Sequence, residues 1–295
     1  GGTGKTPAVI ALAARLRAAG RIVVVCSRGY RRAGRDPLIV AQTAGPVVSW
    51  RQAGDEPWLI ARRLGTVPVV VGSDRVAAAS LAWETFSPDV LLLDDGFQHR
   101  RLYRDIDLVV VDAQQPLESE RLLPAGYRRE PLRGLRRASA FLLTHGDAVG
   151  PARQADLRIA LGRWAPHAIL LVGRHAPRAV RRYRGSQAEG EEPVESLRGC
   201  RVVAVSSVGK PEGFERTLRA CGADVARAVR FGDHHAYTTA EASALAPAQV
   251  VTTEKDAVRL AEVMPAEASW SALIVDLEIT EGLEAWDSLV FSVIG

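Results

Sequence analysis

The sequence predicts an α/β fold, a parallel sheet sandwiched by helices and followed by a second, smaller α/β unit. Three observations carry that reading. Strand-sized apolar runs recur without alternation at residues 67–71, 90–94, 108–112 and 140–144, as suits strands buried on both faces. Stretches with helical spacing lie between them, and a glycine-rich turn stands directly ahead of the first helix.

Taken in order, Val9, Ile10, Ala13 and Leu16 share a helical face behind Pro7, which suits a first turn, and Gly20 supplies the stop. A β-rich run over 21–26 follows. Asp55, Glu56 and Pro57 sit on the first turn of a helix running to Arg63, with the acids at its positive end. The helix over 74–86 ends ahead of Pro88. Residues 185–193 turn to Gly, Ser, Gln and Glu and read as an exposed loop or linker. The rhythm then restarts, with strands at 201–206 and 249–252 and helices at 211–221 and 256–263. The expected organisation is a kinase unit over 1–165, a linker and hinge over 166–200, a second α/β unit over 201–271, and a return strand with a C-terminal helix over 272–295.

The 295 residues are 47% hydrophobic and 24% charged, which excludes disordered, collagen-like and coiled-coil classes. No apolar run approaches the ~20 residues needed to span a bilayer. Cys26, Cys200 and Cys221 have no paired spacing and argue for a reducing compartment without structural disulfides or a zinc site. The chain starts at Gly1 and its one methionine is Met264, so an upstream piece carrying the strand ahead of the turn is expected. Of 38 basic residues only Lys5, Lys210 and Lys255 are lysine, and the formal charge is +4.

Gly1, Gly2, Thr3, Gly4, Lys5 and Thr6 form the back half of a Walker A loop. In such a loop the backbone amides turn towards the β- and γ-phosphates of a nucleotide, the lysine places its charge on the same oxygens, and the hydroxyl ligates Mg²⁺. Residues 89–96 form an apolar strand ending in Asp94, Asp95 and Gly96, the shape of a Walker B element. Adjacent strand residues point to opposite faces, so both carboxylates meet one ion only if the chain turns there, and Gly96 makes that turn plausible.

Six further segments follow in order: Ser27-Arg28-Gly29-Tyr30, Gly54-Asp55-Glu56-Pro57, residues 94–99, Leu123-Pro124-Ala125-Gly126, residues 231–237, and Thr253-Glu254-Lys255-Asp256. Together they resemble the tetraacyldisaccharide 4'-kinase family over essentially the whole chain. The resemblance implies two α/β/α units joined by a short β linker, with an upstream membrane-associating helix. It implies transfer of the γ-phosphate of ATP to the 4'-hydroxyl of an acylated glucosamine disaccharide 1-phosphate, forming lipid IVA at the cytoplasmic face of the inner membrane.

By the same resemblance, Asp55 accepts the hydroxyl proton, His234 partners it, and Lys5 neutralises the γ-phosphate. Thr6, Glu56, Asp94 and Asp95 are the Mg²⁺ ligands, with Glu130 a further candidate, while Arg28, Tyr30, Gln98 and His99 face the acceptor. Asp55 and His234 belong to different units and meet only if the second unit folds over the cleft. His235 reads better as a structural loop residue. Thr253 and Asp256 have a capping-box spacing, and that helix start with Lys255 equally suits a substrate phosphate. Lys210 has no assigned role. The arginine clusters at 28–35, 100–104 and 128–137 suit a solvated face or an anionic leaflet. Two other classes compete: a partitioning or septum-positioning ATPase switch, which shares the glycine-rich lysine loop, and a nucleic-acid binder, for which no stacking motif or zinc-finger spacing speaks. Oligomeric state is not readable.

Overall fold

The computed structural model describes residues 3–117, 121–122, 125–126 and 128–294. Gly1, Gly2, Leu123 and Pro124, named above within motifs, lie outside the described residues.

Helix α1 (Lys5–Ala18) starts immediately after Gly4 and buries Ala8, Val9, Leu12, Ala13 and Leu16 along one stripe. It stops at Gly20, whose positive φ of 80° lets the Gly20 and Arg21 amides return to the Arg17 and Leu16 carbonyls. The short α2 (Trp50–Ala53) leads into α3 (Asp55–Leu64). Helix α4 (Arg75–Phe86) is capped by the Asp74 carboxylate on the Val76 and Ala77 amides and ends ahead of Pro88, as its sequence predicts. Beyond them come α5 (Pro151–Gly162), α6 (Pro211–Ala220), α7 (Thr239–Leu245), α8 (Glu254–Leu260) and α9 (Leu283–Ile294).

The strands form two sheets. One holds β1 (Val23–Ser27), β2 (Leu38–Ala41), β3 (Val69–Val71) and β4 (Val90–Leu93) in the order β2-β3-β1-β4; β1 runs parallel to β3 and β4, and β2 is antiparallel. The other holds β5 (Leu108–Asp112), β6 (Ala140–Thr144), β7 (Ile169–Arg184), β8 (Gln187–Glu192), β9 (Arg201–Ser206), β10 (Asp224–Arg230), β11 (Val250–Thr253) and β12 (Ser269–Glu281). Its order is β10-β9-β11-β12-β7-β6-β5, with β8 hydrogen-bonded to β7. It crosses the expected boundaries near 165 and 200, because β7 pairs in parallel with β6 and antiparallel with β12.

Central strands β1, β3 and β6 are buried throughout, as their uninterrupted apolar sequences require. Residues 187–192 differ from the expected loop: they form β8, antiparallel to β7. Their polar composition is that of an exposed outer strand rather than of a linker.

Helix α1 fixes where the chemistry sits. Its apolar stripe packs in one cluster with Val23, Val25, Val69 and Val71 of the smaller sheet and with Leu142, Leu171 and Leu277 of the larger one. Each such aliphatic side chain contributes about 1.5–3 kcal/mol when fully buried. The helix is therefore anchored to both sheets, and its N-terminus opens between them.

Candidate active site

The described part of the phosphate loop rests on the end of β6 and the middle of β7. The Thr144 hydroxyl donates to the Thr3 carbonyl at 2.9 Å, and a Cβ on Gly4 (φ 87°) would lie 3.0 Å from both the His175 ring and the Thr144 methyl. Only glycine fits so close a crossing in that conformation. Lys5 and Thr6 then occupy the first turn of α1, where free amides and the helix dipole favour phosphate.

Opposite Lys5 stand the acids after β4. The turn expected at Gly96 occurs one residue earlier, at Asp95, whose φ is 54°. That turn lets both carboxylates serve one region. Lys5 Nζ is 3.8 Å from Asp95 Oδ1, and Arg129 pairs with Asp95 Oδ2. Burial opposes ionisation of Asp95, but the Arg129 hydrogen bond and the Lys5 and Arg129 charges outweigh it and hold the carboxyl below its ordinary value. Asp94 is 4% exposed and accepts from the Ser27 hydroxyl at 2.8 Å. Burial pushes it up to about 6, with the negative charges of Glu56 and Asp95 acting the same way.

Among the described residues no three His, Cys, Asp or Glu side chains close into a ready-made metal cage. The donor set nevertheless fits Mg²⁺, which takes hard oxygens and completes its shell with water and nucleotide phosphates. Thr6, Asp94, Asp95 and Glu56 supply a hydroxyl and three carboxylates. Glu130 is committed elsewhere, accepting from Gln98 Nε2 at 2.9 Å and from Arg137.

Two motifs meet through glycine. A Cβ on Gly54 (φ 93°) would lie 3.2 Å from the Gly29 Cα and the Tyr30 carbonyl, so the backbones around Arg28-Gly29-Tyr30 and Asp55 touch. Asp55 starts α3 and is 6% exposed. Its Oδ1 accepts from the Glu56 amide at 2.9 Å, while Oδ2 lies 2.9 Å from His234 Nδ1 and 3.1 Å from Arg259 Nη1. Burial raises the Asp55 carboxyl, but the His234 hydrogen bond and the Lys255 and Arg259 charges prevail, leaving it below its ordinary value.

His234 follows β10 in a left-handed conformation, φ 59°. The Tyr30 ring meets it edge-on at 5.7 Å, and Lys255 Nζ lies 3.1 Å from its Nε2. Lys255 also reaches Glu56 Oε1 at 3.2 Å. His235 points away, to Glu241 and the Phe231 ring, as its structural reading expects. The contact between units is held by Glu254 at the start of α8, which pairs with Arg63 of α3 and Arg181 of β7.

Asp55, Glu56, Tyr30 and His234 thus converge, as do Lys5, Asp94 and Asp95. Arg28 is exposed at the rim. Gln98 is tied to Glu130, and His99 sits among Arg75, Arg101 and Arg104, where burial first and those charges next lower its pKa.

Sequence reasoning missed Arg259, whose guanidinium also binds Ser207 and Asp256; only its position one helical turn after Lys255 hinted at a shared face. It also missed Asp112, which Lys210 and His145 engage beside the phosphate loop. The ending of β5 and β6 at Asp112 and Thr144 was the available signal, since crevices form at the carboxyl ends of parallel strands.

Comparison with known proteins gives the family. The family model described as "Tetraacyldisaccharide-1-P 4'-kinase" matches residues 1–290. A tetraacyldisaccharide 4'-kinase of Anaeromyxobacter dehalogenans (strain 2CP-C) is 45% identical over 98% of this chain and 78% of the relative. One from Halothermothrix orenii is 36% identical over 88% and 71%. The crystal structure of the "apo" form of LpxK from Aquifex aeolicus in complex with ATP superimposes with a TM-score of 0.78 at 32% identity, covering 100% of this chain and 85% of that one. Matches spanning nearly all of the sequence make this chain a member of the tetraacyldisaccharide-1-P 4'-kinase family.

Proposed function

We propose that this chain transfers the γ-phosphate of ATP to the 4'-hydroxyl of a tetraacyldisaccharide 1-phosphate, giving lipid IVA and ADP in lipid A biosynthesis. The observation that carries the reading is the Asp55–His234 contact beside Glu56 and across from the phosphate loop. Nothing in the site favours the partitioning-type ATPase switch.

Phosphoryl transfer needs charge neutralised on the γ-phosphate and the acceptor oxygen held in line. Lys5 and the amides at the start of α1 serve the first need. Thr6, Asp94, Asp95 and Glu56 would hold Mg²⁺, which when bound adds positive charge at the β- and γ-phosphates. Asp55 takes the proton of the 4'-hydroxyl as the oxygen bonds to phosphorus and the bond to ADP breaks. His234 donates from Nδ1 to Asp55 and steadies its carboxylate. Tyr30, exposed and edge-on to the His234 ring, and the exposed Arg28 suit contacts to the sugar and its phosphate, with Gln98 and His99 as further contacts. Packing of the second unit over Asp55 excludes water, which a kinase needs to avoid hydrolysing ATP.

No helix among the described residues is long and apolar enough to cross a membrane. The family resemblance puts the lipid acceptor at the cytoplasmic leaflet of the inner membrane, where each nearby arginine is worth about 1 kcal/mol towards anionic lipid.

The test is transfer of labelled γ-phosphate to an acylated disaccharide 1-phosphate in detergent micelles, using full-length protein. Labelled lipid above the Lys5→Ala background supports the proposal. ATP turnover with no labelled lipid would reject it.

A further inference from the structure

His234 is engaged at both ring nitrogens. Nδ1 lies 2.9 Å from Asp55 Oδ2, and Nε2 lies 3.1 Å from Lys255 Nζ. An ammonium offers three donors and no acceptor, so the nitrogen facing it must accept. The ring proton is then on Nδ1, the nitrogen facing the carboxylate. We infer that Lys255 is a positioning residue for phosphoryl transfer, acting through His234 by fixing its imidazole as the Nδ1–H tautomer that donates to Asp55.

The placement of Lys255 suits the task. It occupies the first turn of α8 beside Glu254, whose two arginine partners pin that helix start to α3 and β7. Its side chain is 17% exposed and is further held by Glu56 at 3.2 Å and Asp233 at 3.6 Å. In a chain where three of 38 basic residues are lysine, this position needs a compact ammonium with rotatable donors rather than a planar fork. The mechanical consequence falls on Asp55. With the ring proton on Nδ1, Oδ2 is occupied by His234 and Arg259 and Oδ1 by the Glu56 amide, so the carboxylate has one orientation and a lone pair left for the acceptor hydroxyl. With the proton on Nε2, Nδ1 and Oδ2 would be two acceptors at 2.9 Å and the carboxylate would turn away.

This inference rests on the proposal that Asp55 accepts the hydroxyl proton, but its test does not need turnover. Full-length protein carrying ¹⁵N-histidine is compared with Lys255→Met, the His234 signals being assigned by their loss in His234→Gln. In the parent, Nδ1 falls in the protonated range and Nε2 in the unprotonated range. In Lys255→Met the two nitrogens move towards an averaged or reversed pattern while the other five histidines stay put, which also shows that the fold is intact. kcat falls by about 10- to 100-fold, less than loss of the general base itself, with the KM for ATP within about twofold. A His234 pattern unchanged in Lys255→Met overturns the inference, as does a parent with its proton on Nε2. A parent with the Nδ1–H pattern but no lipid phosphorylation counts against the kinase reading and leaves the tautomer assignment standing.

Discussion

His234 Nδ1 lies 2.9 Å from Asp55 Oδ2 although the two residues are 179 positions apart in sequence. The distance is set by the packing of α8 against α3, where Arg63, two helical turns after Asp55, pairs with Glu254, the residue next to Lys255. The site is therefore made where α3 meets α8 and the turn after β10, rather than by any one loop. Groups acting as such a unit lose function together. Asp55→Asn and His234→Gln should each lower kcat by about 10²–10⁴ with ATP binding retained, and the double variant should be little worse than the poorer single one. Turnover with lipid acceptor, alongside calorimetric titration of ATP, checks this; fully multiplicative losses would separate the two residues.

As a proposed Mg²⁺ ligand, Asp94 should make ATP binding depend on pH. Burial, aided by the negative charges of Glu56 and Asp95, pushes its carboxyl up to about 6, so below that pH a proton competes with the cation for it. Mg²⁺-dependent ATP affinity should be steady above pH 7 and fall by up to about tenfold per pH unit below about 6. Asp94→Asn should bind weakly at every pH and show no such slope. Equal Mg²⁺ dependence in the parent at pH 5.5 and 7.5 would remove Asp94 from the cation site.

The local grammar of the fold was legible because it is written in short range. The buried stripe of α1, its stop at Gly20, the Asp74 cap and the apolar strands β1, β3 and β6 all follow from neighbouring residues. The return strand expected after 272 is the C-terminal part of β12, but in the sequence the long β7 reads only as linker and hinge. Along β7, arginines paired across strands, such as Arg174 with Glu278 and Arg181 with Glu191, interrupt the apolar signal. In the site, motif residues gave Lys5, Asp55, Asp94 and His234. The buried partner Arg259 escaped because its role depends on α8 meeting α3, a contact that no local pattern encodes.

Gly54 joins the Asp55 motif to the backbone of Gly29 and Tyr30. Its φ of 93° is costly for any other residue, and an added Cβ would come within 3.2 Å of backbone atoms that have nowhere to move. Gly54→Ala should cost about 1–3 kcal/mol. It should also lower kcat more than it raises the KM for ATP, because the displaced group is Asp55 and not the phosphate loop. Urea unfolding and steady-state kinetics on the same sample check both; a variant of parental stability would place the contact outside the folded ensemble.

Arg259 is 4% exposed and faces the carboxylates of Asp55 and Asp256 together with the Ser207 hydroxyl. Removing its charge strands the buried Asp256 and takes one of two cations from Asp55, which keeps Lys255. Arg259→Met should therefore destabilise the protein by about 3–5 kcal/mol, the range for breaking one side of a buried pair. Replacing Asp256 by Asn in the same chain should recover part of the loss, because it removes one stranded charge. Urea denaturation of the single and double variants measures both terms, and absence of any recovery would argue against the pairing as the source.

His175 links stability to pH from beneath the phosphate loop. Burial lowers its pKa from the ordinary 6.5 to about 4, and the nearby His145 acts in the same direction. The folded value lies below the unfolded one, so protonation favours the unfolded chain. The stabilisation is then complete above about pH 6.5 and disappears as the pH falls through about 4. A shift of that size corresponds to roughly 2–4 kcal/mol. The parent should lose about that much stability between pH 7 and 4 through this residue, in addition to any contribution from other groups. In His175→Gln, which cannot take up the proton, that part of the slope should vanish, while stability at pH 7 changes only by the local packing loss. Urea unfolding at half-unit steps from pH 4 to 7.5 gives both curves. If they run parallel across the whole window, the imidazole beneath Gly4 is not the titrating group.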